Sequence, residues 1–449
     1  MLKRKIYGQL EKWKSDKRGT CLMIRGPRQV GKTYAVDHFG KENYENYLHV
    51  NFELQPEVKE AFSGNLDVET VTKKLTAYFP DFIFEEGNTL IFFDEIQMCP
   101  EARTSLKSFA TDGRYDVIAT GSLLGIIFKQ TTGTPMGYET QVDMHPLDFE
   151  EFLWANGYRE EFTEDLKESI SKKKPLGSAI LSTMNEKFRE HMIVGGMPKA
   201  VDRFVKENSF GAAQAALRDI SDMQRTDVIR YSSQPDKVKT LACLESVPAQ
   251  LTNTNKKFTY ANINGDGSAP SRKYEGNLLW LHDAGIISYC HNITEPKIPL
   301  ASKKITDSFK IYMRDTGLLT LSYGDSARIA LAIGKGGENK ASASEGAITE
   351  NAVADMLYKN NIPLYYYKKG GKEVDFVTEL GLDTALIEVK SGSYGRFPSL
   401  DYVAEKYGAD RRIVLGYHDI GVDTEGREYY PLFAAAFIKS MTDEKYAGL

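Results

Sequence analysis

The sequence predicts an α/β protein in which a parallel sheet comes first, helical segments follow, and a second, smaller α/β domain ends the chain. Three observations lead to this prediction. Short apolar runs alternate with helical patterns over the first 145 residues, helical patterns dominate the next part, and strand patterns return after residue 345. Continuous apolar runs are typical of strands buried on both faces of a parallel sheet, and strand–helix alternation is typical of sheets covered by helices.

The first apolar run, Cys21 to Ile24, leads into a glycine-rich turn that matches the pattern G-x-x-x-x-G-K-[ST] at every defined position. Glycines let such a loop turn its backbone N–H groups and the following helix N-terminus towards phosphates. Lys32 would then reach the β- and γ-phosphates, and the hydroxyl of Thr33 would bind Mg²⁺. The alternative is an ordinary glycine-rich turn between a strand and a helix. The predicted nucleotide-binding residues are Gly26, Pro27, Arg28, Gln29, Val30, Gly31, Lys32 and Thr33.

A second apolar run, Thr89 to Phe93, ends in two adjacent acids. Ligands of parallel sheets bind at the carboxyl ends of the strands. There Asp94 would hold Mg²⁺ through its water shell, and Glu95 would orient or deprotonate the water that attacks the γ-phosphate. The alternative is a plain strand that runs into an acidic loop.

A third run, from Tyr115 to Thr120, ends at Gly121. Thr120 or Ser122 would contact the γ-phosphate from the neighbouring strand, although Ser and Thr are also common helix caps. Further strands are predicted at 47–53 and 139–144.

The predicted organisation has four parts. Residues 1–145 form the nucleotide-binding core and 146–235 a helical lid, and 236–333 form a module of helices followed by two strands. That order is typical of a winged helix, whose recognition helix reads DNA in many proteins and whose surface binds proteins in others. A glycine- and serine-rich linker precedes the last domain, residues 345–449.

The last domain has the predicted order αβββαβ and contains a second group of charged residues. Glu388 and Lys390 are two residues apart on one predicted strand, so both point to one face, where Asp375 on the adjacent strand meets them. Asp375 and Glu388 would bind Mg²⁺, Lys390 would activate or stabilise the water that attacks a phosphodiester, and Glu350 on the preceding helix would add a carboxylate. A structural ion pair on a half-exposed sheet is the alternative.

Composition limits the classes of protein to which the chain can belong. The chain has 449 residues, 41% hydrophobic and 27% charged, as in soluble globular proteins of two to four domains. A net charge of −5 argues against a protein that coats nucleic acid nonspecifically over its whole surface, but allows a local basic groove. Four widely spaced cysteines argue against a zinc site or a disulfide framework. No apolar run approaches the roughly 20 residues of a membrane span. We therefore expect a cytoplasmic protein that does not associate with membranes.

Taken together, the motifs resemble those of the bacterial and archaeal AAA-like ATPases that carry a C-terminal DUF4143 domain. The resemblance covers nearly the whole chain. It rests on Gly26 to Thr33, Phe93 to Gln97, Thr120 to Leu124, Pro146 to Phe152, Gly195 to Pro198, and Asp315 to Leu319.

This resemblance implies a P-loop NTPase sheet with a helical lid, a winged-helix module, and Mg²⁺-dependent binding and hydrolysis of ATP. It also implies that the last domain is similar to the PD-(D/E)XK nuclease-like fold. The family often has Gly-Arg before the fifth strand, whereas this chain has Gly137-Tyr138-Glu139. That departure leaves the arginine finger unassigned; Arg28 is one candidate substitute, and the alternative is that Arg28 is a solvent-facing loop residue. The residues at matching nuclease positions are Glu350, Asp375, Glu388 and Lys390.

Three functions stay open at this point. The first is an ATP-driven switch or motor that moves the last two modules on DNA. The second is a nucleotide-gated protein-interaction switch with an inactive nuclease fold. The third is an ATP-regulated, Mg²⁺-dependent nuclease. ATPases of this general type often act as homo-oligomers.

Overall fold

The computed structural model describes residues 1–16, 19–121, 137–231, 234–263, 273–334, 343–392 and 395–442. The chain divides into two compact units. The N-terminal unit comprises Arg4–His145 and Asp283–Gly285, and the C-terminal unit comprises Met1–Lys3, Pro146–His282 and Ile286–Leu449. No helix within the described ranges is long and apolar enough to cross a membrane.

The N-terminal unit is built on a five-stranded parallel sheet. Its strands are β1 Cys21–Arg25, β2 Asn46–Asn51, β3 Thr89–Asp94, β4 Asp116–Gly121 and β5 Glu139–Asp143. Its helices are α1 Ile6–Asp16, α2 Lys32–Asn43, α3 Val68–Tyr78 and α4 Pro100–Asp112. The spatial order is β2-β3-β4-β1-β5, so β1 and β3 are both interior strands. The parallel sheet predicted from the sequence is confirmed.

Both faces of this sheet are buried. Ile91 and Phe93 of β3 pack into a core with residues of α3 and α4, whereas Leu90 and Phe92 pack into a second core with residues of α1 and α2. Successive side chains of a strand point to opposite faces, so a strand with two covered faces must be apolar throughout. This burial explains the unbroken apolar run that precedes Asp94.

The C-terminal unit combines a helical part with an eight-stranded mixed sheet. Its helices are α5 Phe149–Ala155, α6 Glu160–Ser171, α7 Ser178–Val194, α8 Pro198–Glu207, α9 Phe210–Tyr231, α10 Gln234–Thr252, α11 Glu275–Asp283, α12 Thr316–Ser322, α13 Gly324–Ile333, α14 Ala343–Lys359 and α15 Pro398–Tyr407. Its strands are β6 Ile287–Ile293, β7 Lys304–Met313, β8 Tyr365–Lys369, β9 Lys372–Leu380, β10 Asp383–Val389, β11 Arg411–Gly416, β12 Gly421–Val422 and β13 Glu428–Pro431. The spatial order is β12-β13-β11-β10-β9-β8-β6-β7.

The hairpin of β6 and β7 belongs to this larger sheet. β6 pairs with β7 antiparallel and with β8 parallel, through His291 to Ile293 against Tyr365 to Tyr367. The two strands that the sequence predicts as the end of the module at 236–333 therefore continue the sheet of the last domain. The winged-helix assignment and the four predicted boundaries stay predictions.

Three of the short motifs meet at one point of the C-terminal unit. The Leu147 N–H donates to the Gly196 carbonyl at 2.7 Å, and the Gly196 N–H donates to Asp315 Oδ2 at 2.8 Å. Asp315 also caps α12 by accepting from the Leu318 N–H at 3.0 Å. A Cβ on Gly196 would lie 2.1 Å from the Leu147 carbonyl oxygen, so only glycine fits. These motifs are therefore accounted for by packing.

Candidate functional site

The loop between β1 and α2 has the strained backbone that its glycines predict. Gly26 has φ 153° and Gly31 has φ 93°, and Gln29 is left-handed with φ 65°. A Cβ on Gly26 would lie 2.1 Å from the Met144 carbonyl oxygen. The loop thus requires glycine at position 26 for close packing as well as for its turn.

Lys32 is folded back onto this loop. Its Nζ donates to the carbonyls of Gly26 and Pro27, each at 2.9 Å, and the residue is 6% exposed. Burial lowers the pKa of Lys32 to about 8, although the nearby Glu95 and Asp94 favour the charged form. The two carbonyls and the nearby carboxylates do not offset the cost of burying this ammonium group, and an arriving polyphosphate would supply further negative charge.

Asp94 lies at the centre of a hydrogen-bond network at the end of β3. Its Oδ2 accepts from Thr33 Oγ1 at 3.0 Å and from Asn51 Nδ2 at 2.9 Å, and its Oδ1 accepts from Thr120 Oγ1. His49 Nε2 lies 3.4 Å from Asp94 Oδ2. Burial disfavours the ionised form of Asp94, but its hydrogen-bond partners outweigh burial and lower its pKa. The structure therefore brings Thr33 and Asp94, both predicted to hold Mg²⁺, into direct contact.

Glu95 follows Asp94 in the left-handed region, with φ 51°. Its Oε2 accepts from Gln97 Nε2, which fixes the carboxylate beside the loop residues that follow β3. Arg28 Nη2 lies 3.8 Å from Glu53 Oε2, so the predicted substitute for the arginine finger faces a carboxylate of its own unit. Ser122 lies outside the described residues.

Several residues of this site gave no signal in the sequence. Arg4 is 8% exposed and donates to the carbonyls of Val30, at 3.0 Å, and His145, at 2.6 Å, so it supports the nucleotide loop from 26 residues away. His49 and Asn51 reach Asp94 because β2 lies next to β3, with Asn51 opposite Asp94. A polar residue at the carboxyl end of an otherwise apolar strand was the available clue, but strand order cannot be read from spacing.

The second predicted group is also assembled, on β9, β10 and the segment after it. Asp375 Oδ2 accepts from the Val389 N–H at 2.9 Å, and Lys390 Nζ lies 2.6 Å from Glu388 Oε1. Glu388 Oε2 is buried without a hydrogen-bond partner in the described part of the chain. Burial, followed by repulsion from Glu388 and Glu350, raises the pKa of Asp375 to about 8.

Glu350 has a different environment. Its carboxylate accepts from Tyr312 and forms ion pairs with Lys256 and with Lys310, whose Nζ is 3.0 Å away. Burial opposes ionisation of Glu350, but the two lysines outweigh burial and hold its pKa below the usual value. Lys310 is 1% exposed and also contacts Glu373 at 3.0 Å. Glu350 is thus fully compensated by protein groups.

These contacts decide which carboxylates could hold a cation. Glu388 has a buried oxygen without a hydrogen-bond partner among the residues that the structure describes, and burial opposes the ionisation of Asp375. A Mg²⁺ ion bound by oxygen ligands would satisfy the first and favour the ionised form of the second. Within the described ranges, no group of three or more His, Cys, Asp or Glu side chains is arranged to hold a metal ion. The predicted third ligand, Glu350, is occupied by lysines, so it would join a metal only by losing them.

Comparison with known families matches three regions of the chain. A family described as an AAA domain matches residues 18–153, and a domain of unknown function, DUF8612, matches residues 185–327. A second domain of unknown function, DUF4143, matches residues 345–433. Among curated proteins, none matches the sequence.

Solved structures show distant likenesses. The chain is similar to a Walker-type ATPase of Pyrococcus abyssi, with 15% identity and a TM-score of 0.45, over 72% of this chain and 96% of that one. It is similar to the ORC1 protein of Aeropyrum pernix in complex with DNA, with 10% identity and a TM-score of 0.32, over 73% and 94%. Because these identities and scores are low, the family matches carry the assignment. By these matches, the chain carries an AAA domain of the P-loop ATPase type at residues 18–153 and a C-terminal DUF4143 domain at residues 345–433.

Proposed function

We propose that the protein binds ATP with Mg²⁺ in the N-terminal unit, hydrolyses it, and uses the nucleotide cycle to act on DNA through the C-terminal unit. The observation that supports the ATPase is the contact between the nucleotide loop and the end of β3. Thr33 Oγ1 lies 3.0 Å from Asp94 Oδ2, and the ammonium group of Lys32 is close enough to Asp94 and Glu95 for both carboxylates to favour its charged form. This contact supports a site in which Lys32 would bind phosphate, Thr33 and Asp94 would hold Mg²⁺, and Glu95 would act as the general base.

Each residue has a defined task in this proposal. Lys32 would leave the Gly26 and Pro27 carbonyls and bind the β- and γ-phosphates. Thr33 and Asp94 would hold Mg²⁺, which neutralises charge on the phosphate oxygens. Glu95, oriented by Gln97, would accept a proton from the attacking water.

The test is ATP turnover by the purified chain, with and without single- and double-stranded DNA. Lys32→Ala should abolish turnover, while Lys73→Ala, an exposed lysine of α3, should leave it unchanged. Turnover that survives in Lys32→Ala would refute the ATPase. Turnover insensitive to every DNA would refute the coupling and favour the second candidate, a nucleotide-gated switch for a protein partner.

Nuclease activity is a separate proposal that concerns Asp375, Glu388 and Lys390. The orphan Oε2 of Glu388 supports a cation there, with Lys390 close enough to stabilise the attacking oxygen. The ion pairs of Glu350 with Lys256 and Lys310 favour instead an inactive nuclease fold. Plasmid cleavage in Mg²⁺ or Mn²⁺ decides between them. Activity lost in both Asp375→Asn and Lys390→Ala supports a nuclease, whereas activity that persists in both identifies a contaminant.

A further inference from the structure

A large open cleft in the C-terminal unit has no role in either site described above. Its volume is about 1430 Å³, and it is bordered by the segment around Phe258, by α11, and by β6 and β7. Small-molecule sites usually occupy about 300–1,000 Å³. The size of this cleft therefore fits several linked units of a polymer better than one small ligand.

Aromatic rings form one wall of the cleft around Phe309. Phe258 stacks on Phe309 with ring centres 6.0 Å apart, Tyr289 meets it edge-on at 5.1 Å, and Tyr260 does so at 6.2 Å. Phe258 and Phe309 are buried, whereas Tyr260 and Tyr289 are half-buried and line the cleft. The wall thus offers ring surface on a rigid, packed support, which is how bases of single strands are held.

His291 lines the same cleft and stacks on Tyr289 with ring centres 5.6 Å apart. Its Nδ1 is buried without a hydrogen-bond partner in the described part of the chain. Burial, with Lys304 nearby, lowers the pKa of His291 to about 4, so the imidazole is neutral at pH 7. A neutral imidazole has one nitrogen that can accept a hydrogen bond. Base amino groups are donors of the matching kind.

Charges at the rim balance. Lys257 and Lys304 line the cleft together with Glu275 and Asp307. A reader of duplex DNA depends on many phosphate contacts, and two lysines opposed by two acids do not provide them. Stacking must therefore supply most of the affinity, with the two lysines contacting one phosphate each.

We propose that this cleft binds single-stranded nucleic acid, with bases stacked on Tyr260 and Tyr289 and phosphates held by Lys257 and Lys304. The inference deepens the proposed DNA-directed function and rests on it only for the link to ATP. The segment that carries Lys257 also carries Lys256, which pairs with Glu350. A strand in the cleft would thus lie against the same segment that borders the carboxylate group.

The experiment uses the full chain and a fluorescein-labelled single strand of 12 nucleotides, followed by anisotropy over a series of salt concentrations. Tyr260→Ala should weaken binding about 5- to 150-fold, the loss of one stacked base, while Tyr260→Phe binds like the native chain. The control is Tyr402→Ala, which removes a tyrosine that is 43% exposed in α15. The slope of log K against log salt should be about −1.4, and Lys304→Ala should reduce it by about 0.7.

Other outcomes overturn the proposal. Equal affinity of native chain and Tyr260→Ala, with Lys304→Ala leaving the slope unchanged, would place the strand elsewhere. Tighter binding of the same sequence as a duplex would assign a groove reader, and binding of AMP but not of the 12-mer would assign a free nucleotide. ATP turnover is measured on the same samples, so a chain that binds the strand without hydrolysing ATP refutes the proposed function and not this inference.

Discussion

Replacing Lys32 by methionine is expected to stabilise the nucleotide-free protein and to abolish its stabilisation by ATP. Lys32 is 6% exposed, and its Nζ donates hydrogen bonds to the carbonyls of Gly26 and Pro27. Methionine keeps the length of the side chain and removes the buried charge. The change thus separates the effect of burial from the effect of phosphate binding.

The magnitude follows from the pKa of Lys32, which burial lowers from 10.5 to about 8. That shift corresponds to about 3 kcal/mol at neutral pH. Two lost hydrogen bonds oppose the gain by about 1 kcal/mol each. We expect the free energy of unfolding of Lys32→Met to exceed that of the native chain by about 1 kcal/mol, which raises the melting temperature by about 2–4 °C.

The pH dependence gives a second signature of the same group. Because the folded pKa of Lys32 lies below the unfolded value, the unfolded chain binds more protons between pH 8 and 10.5. Stability of the native chain should therefore rise with pH through this window relative to Lys32→Met. Saturating ATP should stabilise the native chain by about 2.7 kcal/mol at 100 times Kd and the variant hardly at all.

Differential scanning fluorimetry with and without Mg-ATP, at pH 7 and pH 10, measures all three effects. Lys73→Met changes an exposed lysine of the same unit and should behave like the native chain. The reasoning fails if Lys32→Met is destabilised without nucleotide, or if ATP still raises its melting temperature as in the native chain.

Three further predictions concern the C-terminal unit. Gly196→Ala should lower the melting temperature strongly, because its Cβ would lie 2.1 Å from the Leu147 carbonyl, whereas Gly211→Ala, with 3.6 Å to its nearest neighbour, should not. Burial lowers the pKa of His191 to about 3, so the free energy of unfolding should fall as the pH drops below 6.5. His191→Gln should reduce the slope of this free energy against pH, measured by urea unfolding, by up to about 1.4 kcal/mol per pH unit. Relative to the native chain, Asp375→Asn should gain stability as the pH rises from 4 to 8, because the raised pKa of about 8 makes ionisation of Asp375 unfavourable in the native state. Calorimetry should show no divalent-cation binding by this variant. A pH profile of stability equal to that of the native chain would contradict the prediction.

Local sequence patterns predict individual strands and helices, but not the pairing of strands that are distant in the chain. Strands that are buried on both faces appear in the sequence as apolar runs, so the predicted ends of β1, β3 and β4 lie within one or two residues of the observed ends. The pairing of β6 with β8 joins residues 291 and 365, and such a contact leaves no trace in spacing. The short strands β12 and β13 were not predicted, because two and four residues are too few to show a period.

The same limit applies to the sites. Lys32, Thr33, Asp94 and Glu95 belong to contiguous motifs, so their proximity follows from the order of strand, loop and helix. Arg4 supports the loop through the carbonyls of Val30 and His145, contacts that span 26 and 141 residues. Long-range hydrogen bonds to backbone carbonyls depend on no particular sequence at the acceptor, and only coordinates reveal them.

The contrast between Glu350 and its two neighbours is the strongest physical reason to look for a ligand at the end of β10. A buried carboxylate is costly unless it is paired and hydrogen-bonded. Glu350 meets that condition through Lys256, Lys310 and Tyr312. Burial and repulsion from Glu388 and Glu350 raise the pKa of Asp375 to about 8, and Glu388 Oε2 is buried without a hydrogen-bond partner in the described part of the chain, although Lys390 contacts its other oxygen. We infer that Glu350 has a structural role, and that Asp375 and Glu388 bind a positively charged ligand.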